Sequence, residues 1–146
     1  MASESNVVRW ATAISAHREN GRKIFFRFAQ ELRPQFDKSS QPARIIILWE
    51  YESETGQPST GEHNQMNIFE DALGPRLVKD EFATLALVST GENAREWNYY
   101  AKSEEEFFVR LDEAIGAQIF PIQVYVETDP AWTYYETFLT GKLRIQ

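Results

Sequence analysis

The chain has 146 residues, 42% hydrophobic, 14% aromatic and 25% charged, with a formal net charge of −7 and no cysteine. That length suits one domain with a sizeable core. The missing cysteines exclude disulfide frameworks, thiolate metal sites and thiol nucleophiles, and His17 and His63 are too few for a three-histidine metal centre.

The predicted elements begin with a hairpin. Val8, Trp10, Thr12 and Ile14 alternate with Arg9, Ala11 and Ala13, and Ile24, Phe26 and Phe28 alternate with Lys23, Arg27 and Ala29. Asn20-Gly21 between the two runs reads as a type I′ turn, whose central residues both need positive φ. Residues 33–42 are polar, with two prolines, and read as a loop. Ala43 to Glu52 is apolar without alternation, which predicts a central strand covered on both faces. After the turn-rich Glu54 to Thr60, the residues Met66, Phe69, Leu73, Leu77 and Val78 recur at helical spacing from about Glu62. Gly74-Pro75 predicts a kink or break in that helix.

Phe82 to Thr90 is predicted as a strand, residues 91–94 as a turn and Arg95 to Ala101 as its hairpin partner. Ser103 and Glu106 have capping-box spacing and open a helix that presents Phe107, Leu111, Ala114 and Ile115 and stops near Gly116. Phe120 to Glu127 is a strand whose Pro121 suits its start. Asp129-Pro130 reads as an N-cap followed by proline at the first helical position. The short helix behind it carries Trp132, Tyr135, Phe138 and Leu139 and can end at Gly141. From residue 43 the order is strand–helix–strand–strand–helix–strand. It predicts an α+β fold, a ferredoxin-like split βαββαβ antiparallel sheet with two helices on one face. An N-terminal β-hairpin (about 7–30) precedes this body (about 43–140) and a short C-terminal helix follows, all within one domain spanning 1–146.

Charge divides along the chain. Residues 1–44 hold 8 Lys/Arg against 4 Asp/Glu, and residues 45–146 hold 7 against 18, for nets of +4 and −11. The acidic majority argues against a nucleic-acid partner, which needs a concentrated positive surface. The longest apolar run, Ile45 to Trp49, is five residues, against roughly 20 for a membrane span. The N-terminal residues lack the basic-then-apolar pattern of a secretory leader, so the expected location is the cytoplasm.

Three stretches carry a family resemblance. They are Thr90-Gly91…Arg95-Glu96-Trp97…Tyr99-Tyr100, then Asp129-Pro130-Ala131-Trp132…Tyr135…Phe138-Leu139, and Trp49-Glu50-Tyr51…Gly56-Gln57-Pro58. Together, over roughly residues 43–140, they resemble a bacterial domain family of unknown function. Some members are joined to a domain similar to the ribonuclease E inhibitor B protein. The resemblance implies an α+β domain and assigns no reaction, and the hairpin at residues 7–30 matches it least.

The aromatic residues, 4 Trp, 6 Tyr and 10 Phe, are interleaved with arginine, and Phe26, Arg27 and Phe28 or Trp97, Tyr99 and Tyr100 would be a base-stacking platform, but no RNP-type motif accompanies them and core packing uses the same residues. Arg95 and Glu96 beside Thr90 suit an anion contact or a proton shuttle, or else ordinary cross-strand pairing. Tyr99 and Tyr100 point to opposite faces, so one hydroxyl is expected to face solvent, a partner or a ligand. Glu62, His63 and His17 read as exposed residues, without metal-binding spacing. The acidic run Glu104-Glu105-Glu106 suits a first helical turn. No nucleophile elbow, P-loop or dinucleotide fingerprint occurs. No catalytic residue, cofactor or metal is therefore assigned.

The first expectation is a non-catalytic interaction or regulatory module with a protein partner; its acidic body would suit an inhibitor of a basic enzyme. A homodimer through an open edge strand is the second possibility for a partner. The alternative is a small-molecule binder or enzyme. Its pocket would lie between the sheet and the C-terminal helix, lined by Trp49, Trp97, Tyr99, Trp132 and Tyr135, with Thr90 and Glu96 nearby and Arg95 as polar anchor.

Overall fold

A computed structural model describes residues 6–141. The elements are β1 (Val7–Ala16), β2 (Lys23–Leu32), β3 (Ala43–Glu50), α1 (Thr60–Val78), β4 (Ala83–Gly91), β5 (Ala94–Ala101), α2 (Glu104–Ile115), β6 (Ile122–Thr128) and α3 (Thr133–Leu139). The strands form one antiparallel sheet in the order β1-β2-β4-β5-β3-β6. The α+β class follows directly. The unalternating β3 lies inside the sheet, between β5 and β6.

Both faces of this sheet are covered, by different elements. On one face Met66, Phe69, Leu73 and Leu77 of α1 and Phe107 and Leu111 of α2 pack on Ile45, Ile47, Trp49, Trp97 and Tyr99. On the other, Trp132 and Tyr135 pack with Tyr100, Ala29 and Ala86. Helix α3 has seven residues, well short of the ~12–15 that even a good sequence needs to hold a helix alone. Burial of its aromatic side chains, each contributing roughly 1.5–3 kcal/mol, therefore holds it in place.

Several local expectations change. The Asn20-Gly21 turn is a longer loop, closed by the His17 amide donating to the Arg22 carbonyl at 2.6 Å, with positive φ at Gly21 and not at Asn20. Two consecutive positive φ values occur instead at Glu92 (50°) and Asn93 (67°), in the tight β4–β5 turn. There the strand register on both sides leaves only two residues to reverse the chain. Helix α1 runs through Pro75 without a break. Pro75 falls in the last turn, and Gly74 before it has no Cβ to meet the proline ring. The full capping box lies at Ser59 and Glu62. Ser103 does cap α2, but the Glu106 carboxylate turns to Arg110 one turn on, at 2.9 Å. Helix α3 starts at Thr133 rather than behind Pro130, yet Asp129 still caps it, accepting from the Thr133 and Tyr134 amides at 2.8 and 3.1 Å.

Candidate functional site

The hairpin β1–β2 extends the sheet beyond the two large helices. Strand β2 pairs with β4 from Phe25↔Thr90 to Phe28↔Leu87, so alternation places Phe25 and Arg27 on the α1 face and Phe26 and Phe28 on the α3 face. Phe26 and Phe28 pack on Phe138 of α3, with centroids 5.2 and 5.0 Å apart. On the α1 side the hairpin is less covered. Ile14 lies opposite Phe25, and these two and Trp10 are 61%, 41% and 40% exposed.

At the inner end of that face two arginines lie near one carboxylate, and one of them binds it. Arg27 Nη2 donates to both oxygens of Glu70 on α1, at 2.8 and 2.9 Å. The Trp97 indole N–H donates to Glu70 Oε1 at 2.8 Å. Arg95 on β5 is 6% exposed, and its Nε donates to Thr90 Oγ1 at 2.8 Å. Its guanidinium also lies 5.8 Å from the Trp97 ring centroid, within cation–π range. Among the described residues no carboxylate forms an ion pair with Arg95, and the Thr90 contact is the one hydrogen bond of its side chain. Burial pulls the Arg95 pKa below its usual value; Glu70 opposes that and Arg27 adds to it.

Arg95 lines a pocket of about 370 Å³, shared with Thr12, Ile14, Phe25, Arg27 and Thr90. The hairpin forms one wall of it and β4–β5 the base. Sequence reasoning missed Arg27 and Glu70 as members of this cluster. They are 43 positions apart, and no local pattern in the chain links them.

The remaining candidate residues divide between the two faces. Trp49, Trp97 and Tyr99 lie in the α1–α2 core, and Trp49 touches the Phe69, Trp97 and Phe120 rings. Trp132 and Tyr135 belong to the α3 cluster. The sheet therefore separates Arg95 from Trp132, and the two do not share a pocket. Glu96 points away from Arg95 by strand alternation and accepts from Asn98 Nδ2 at 3.0 Å.

The motif residues have packing roles that the geometry makes plain. Trp132 Nε1 donates to the Lys38 and Gln41 carbonyls at 2.9 and 3.0 Å. Tyr135 donates to the Ala29 carbonyl at 2.5 Å, tying α3 to β2. Tyr51 donates to the Gly56 carbonyl at 2.6 Å, and Gln57 Nε2 to the Lys23 carbonyl at 2.6 Å. The first bond folds the β3–α1 loop on itself, and the second ties that loop to the turn end of the hairpin. Burial pushes the Tyr51 hydroxyl up to about 12, so it stays neutral as that donor.

Tyr99 and Tyr100 are both buried, which corrects the expectation that only one could be. The α3 layer gives the second tyrosine a covered face of its own. Tyr100 donates to Asp129 Oδ2 at 2.7 Å, whereas the Tyr99 hydroxyl is buried without a hydrogen-bond partner. Among the described residues, no group of three His, Asp or Glu side chains is placed to hold a metal ion. No helix among them is long and apolar enough to cross a membrane.

Residues 9–140 match the model of a family of unknown function (DUF695), so the match takes in nearly all of the N-terminal hairpin as well as the body. No curated protein matches the chain.

Proposed function

The chain belongs to the family of unknown function DUF695, and we propose that it is a non-catalytic module that binds a protein partner through the N-terminal hairpin. The observation that carries this reading is the row of large apolar side chains left open there. Ile14 is 61% exposed, Val8 56%, Phe25 41% and Trp10 40%. Apolar side chains gathered on one element mark interaction surfaces more often than isolated ones do.

The backbone supports the same reading. Strand β1 ends the sheet, so its outer N–H and C=O groups can pair with an added strand. Charge favours the partner's composition: residues 1–44 carry +4 while the remainder carries −11. A segment alternating apolar and acidic residues meets both features. A second copy of this chain would bring two basic hairpins together, and like charges facing across strands are destabilising. The body's strand order β4-β5-β3-β6 supports a ferredoxin-like topology for the scaffold beneath this surface.

The test is stoichiometric capture of a host protein by the wild-type chain and by Ile14→Glu, with amide exchange measured in the captured complex. The reading expects capture to be lost in the variant and the β1 amides to gain protection in the wild-type complex. Capture that Ile14→Glu leaves unchanged, a complex without β1 protection, or a homodimer alone overturns it.

A further inference from the structure

Arg95 combines two properties that rarely persist together. It is 6% exposed, and among the described residues it has no carboxylate in ion-pair contact. A buried charge is costly unless it is paired. The carboxylate close enough to matter is Glu70, and Glu70 is already engaged by Arg27 and by the Trp97 indole. Two guanidinium groups and one carboxylate leave this cluster one positive charge in excess. Thr90 occupies Nε, so the end-on pair Nη1 and Nη2 stays free, and Arg95 lines the 370 Å³ pocket.

We propose that this pocket binds an apolar carboxylic acid, its carboxylate on the free Nη pair of Arg95 and its hydrocarbon part against Phe25, Ile14 and Val88. The guanidinium fork matches a planar carboxylate with two parallel N–H···O bonds. Phe25, Ile14 and Val88 line the same pocket and supply an apolar wall. Thr12 lines it too and offers a hydroxyl. A phosphate dianion fits less well. Arg27, the other cation that lines the pocket, is engaged by Glu70, and the net charge of −7 repels multiply charged anions. The proposal needs no partner protein, although it shares Ile14 and Phe25 with the hairpin-docking surface. The carboxylate can come from a free small acid or from the C-terminus of a peptide chain.

The experiment is a titration followed by NMR at the Thr90 and Arg95 amides and the Arg95 Nε–H. The probes are hexanoate and 3-phenylpropionate, their primary amides, inorganic phosphate, and a short peptide ending in phenylalanine with a free or an amidated C-terminus. Saturable shifts are expected with the acids, and affinity at least roughly tenfold lower for the neutral amides. Arg95→Met should abolish the shifts at Thr90 while leaving the melting temperature unchanged or higher, because it removes an unpaired buried charge. Arg95→Lys, which keeps the charge and loses the fork, should weaken binding and serves if the Met variant does not fold. Binding by the free acids assigns the site to small molecules, and binding by the free-ended peptide alone assigns it to a chain terminus. No saturable shift with any acid, equal binding of acid and amide, phosphate binding as tight as hexanoate, or undiminished binding by Arg95→Lys overturns the proposal.

Discussion

The rings of Tyr100 and Trp132 stack with centroids 4.1 Å apart and planes 10° from parallel. The contact joins the middle of the sheet to the residue just before α3. The same indole donates to two carbonyls of the β2–β3 loop, and Tyr135 meets its edge at 5.5 Å. Trp132 thus links three parts of the chain: β5, the β2–β3 loop and α3.

Trp132→Ala should therefore be among the most damaging single changes, by about 3–5 kcal/mol in urea unfolding. Trp132→Phe should cost less, since it retains part of the stack and loses only the Nε1 bonds. Equal losses for the two variants would show that the indole N–H, rather than ring packing, holds α3.

The adjacent tyrosines should respond oppositely to the same substitution. Tyr99→Phe removes a buried hydroxyl that has no partner, so stability should stay level or rise by up to about 1 kcal/mol. Tyr100→Phe removes the donor to Asp129 and should cost about 1.5 kcal/mol or more. Thermal or denaturant unfolding of the two variants side by side checks this.

Asp129 gives a pH dependence with a definite sign. Burial works to raise its pKa, but the bonds from Tyr100, Thr133 and Tyr134 outweigh it and hold the carboxyl below its ordinary 3.8. A depressed folded-state pKa contributes stability that is full above the unfolded value, near 4, and is lost as pH falls through the lower folded value. Stability measured from pH 6 down to about pH 2 should decline along this limb. Asp129→Asn should be less stable at pH 6 and show a flatter acid limb; an unchanged limb would place acid sensitivity elsewhere.

Gly91 fixes how closely the hairpin joins the body. A Cβ there would lie 2.5 Å from the Lys23 carbonyl oxygen and 2.9 Å from the Ile24 Cα, both backbone atoms, at a φ of +153°. Gly91→Ala should cost about 1–3 kcal/mol, and amide exchange should rise first along β1 and β2. Gly21→Ala, with nothing within 4 Å of its Cβ, should cost only the ~1 kcal/mol of a left-handed alanine.

Much of the element order was legible because it depends on residues close in sequence. The alternations in the hairpin, the unbroken β3 run and the Ser103 cap each express local geometry. Turn chemistry was less secure. Asn20-Gly21 has the right residues for a type I′ turn but lies in a loop whose length the strand pairing sets, while Glu92 and Asn93 adopt positive φ because the β4–β5 register requires it. The candidate site was half legible. Arg95 stood out as a charge within an aromatic strand, but its grouping with Trp132 failed, since no local pattern says which face of a sheet a terminal helix will cover.

The sequence by itself determined the strands and helices, the acidic body and the absence of thiol chemistry, because composition and short-range spacing suffice for these. Only the tertiary structure decided that α3 takes the face opposite α1 and α2, which allows Tyr99 and Tyr100 to be buried together. It also decided that Glu70 serves Arg27 and Trp97, leaving Arg95 buried beside a pocket without a carboxylate of its own. Those outcomes rest on contacts between residues 27 to 106 positions apart, where chain packing, and not local propensity, selects the partner.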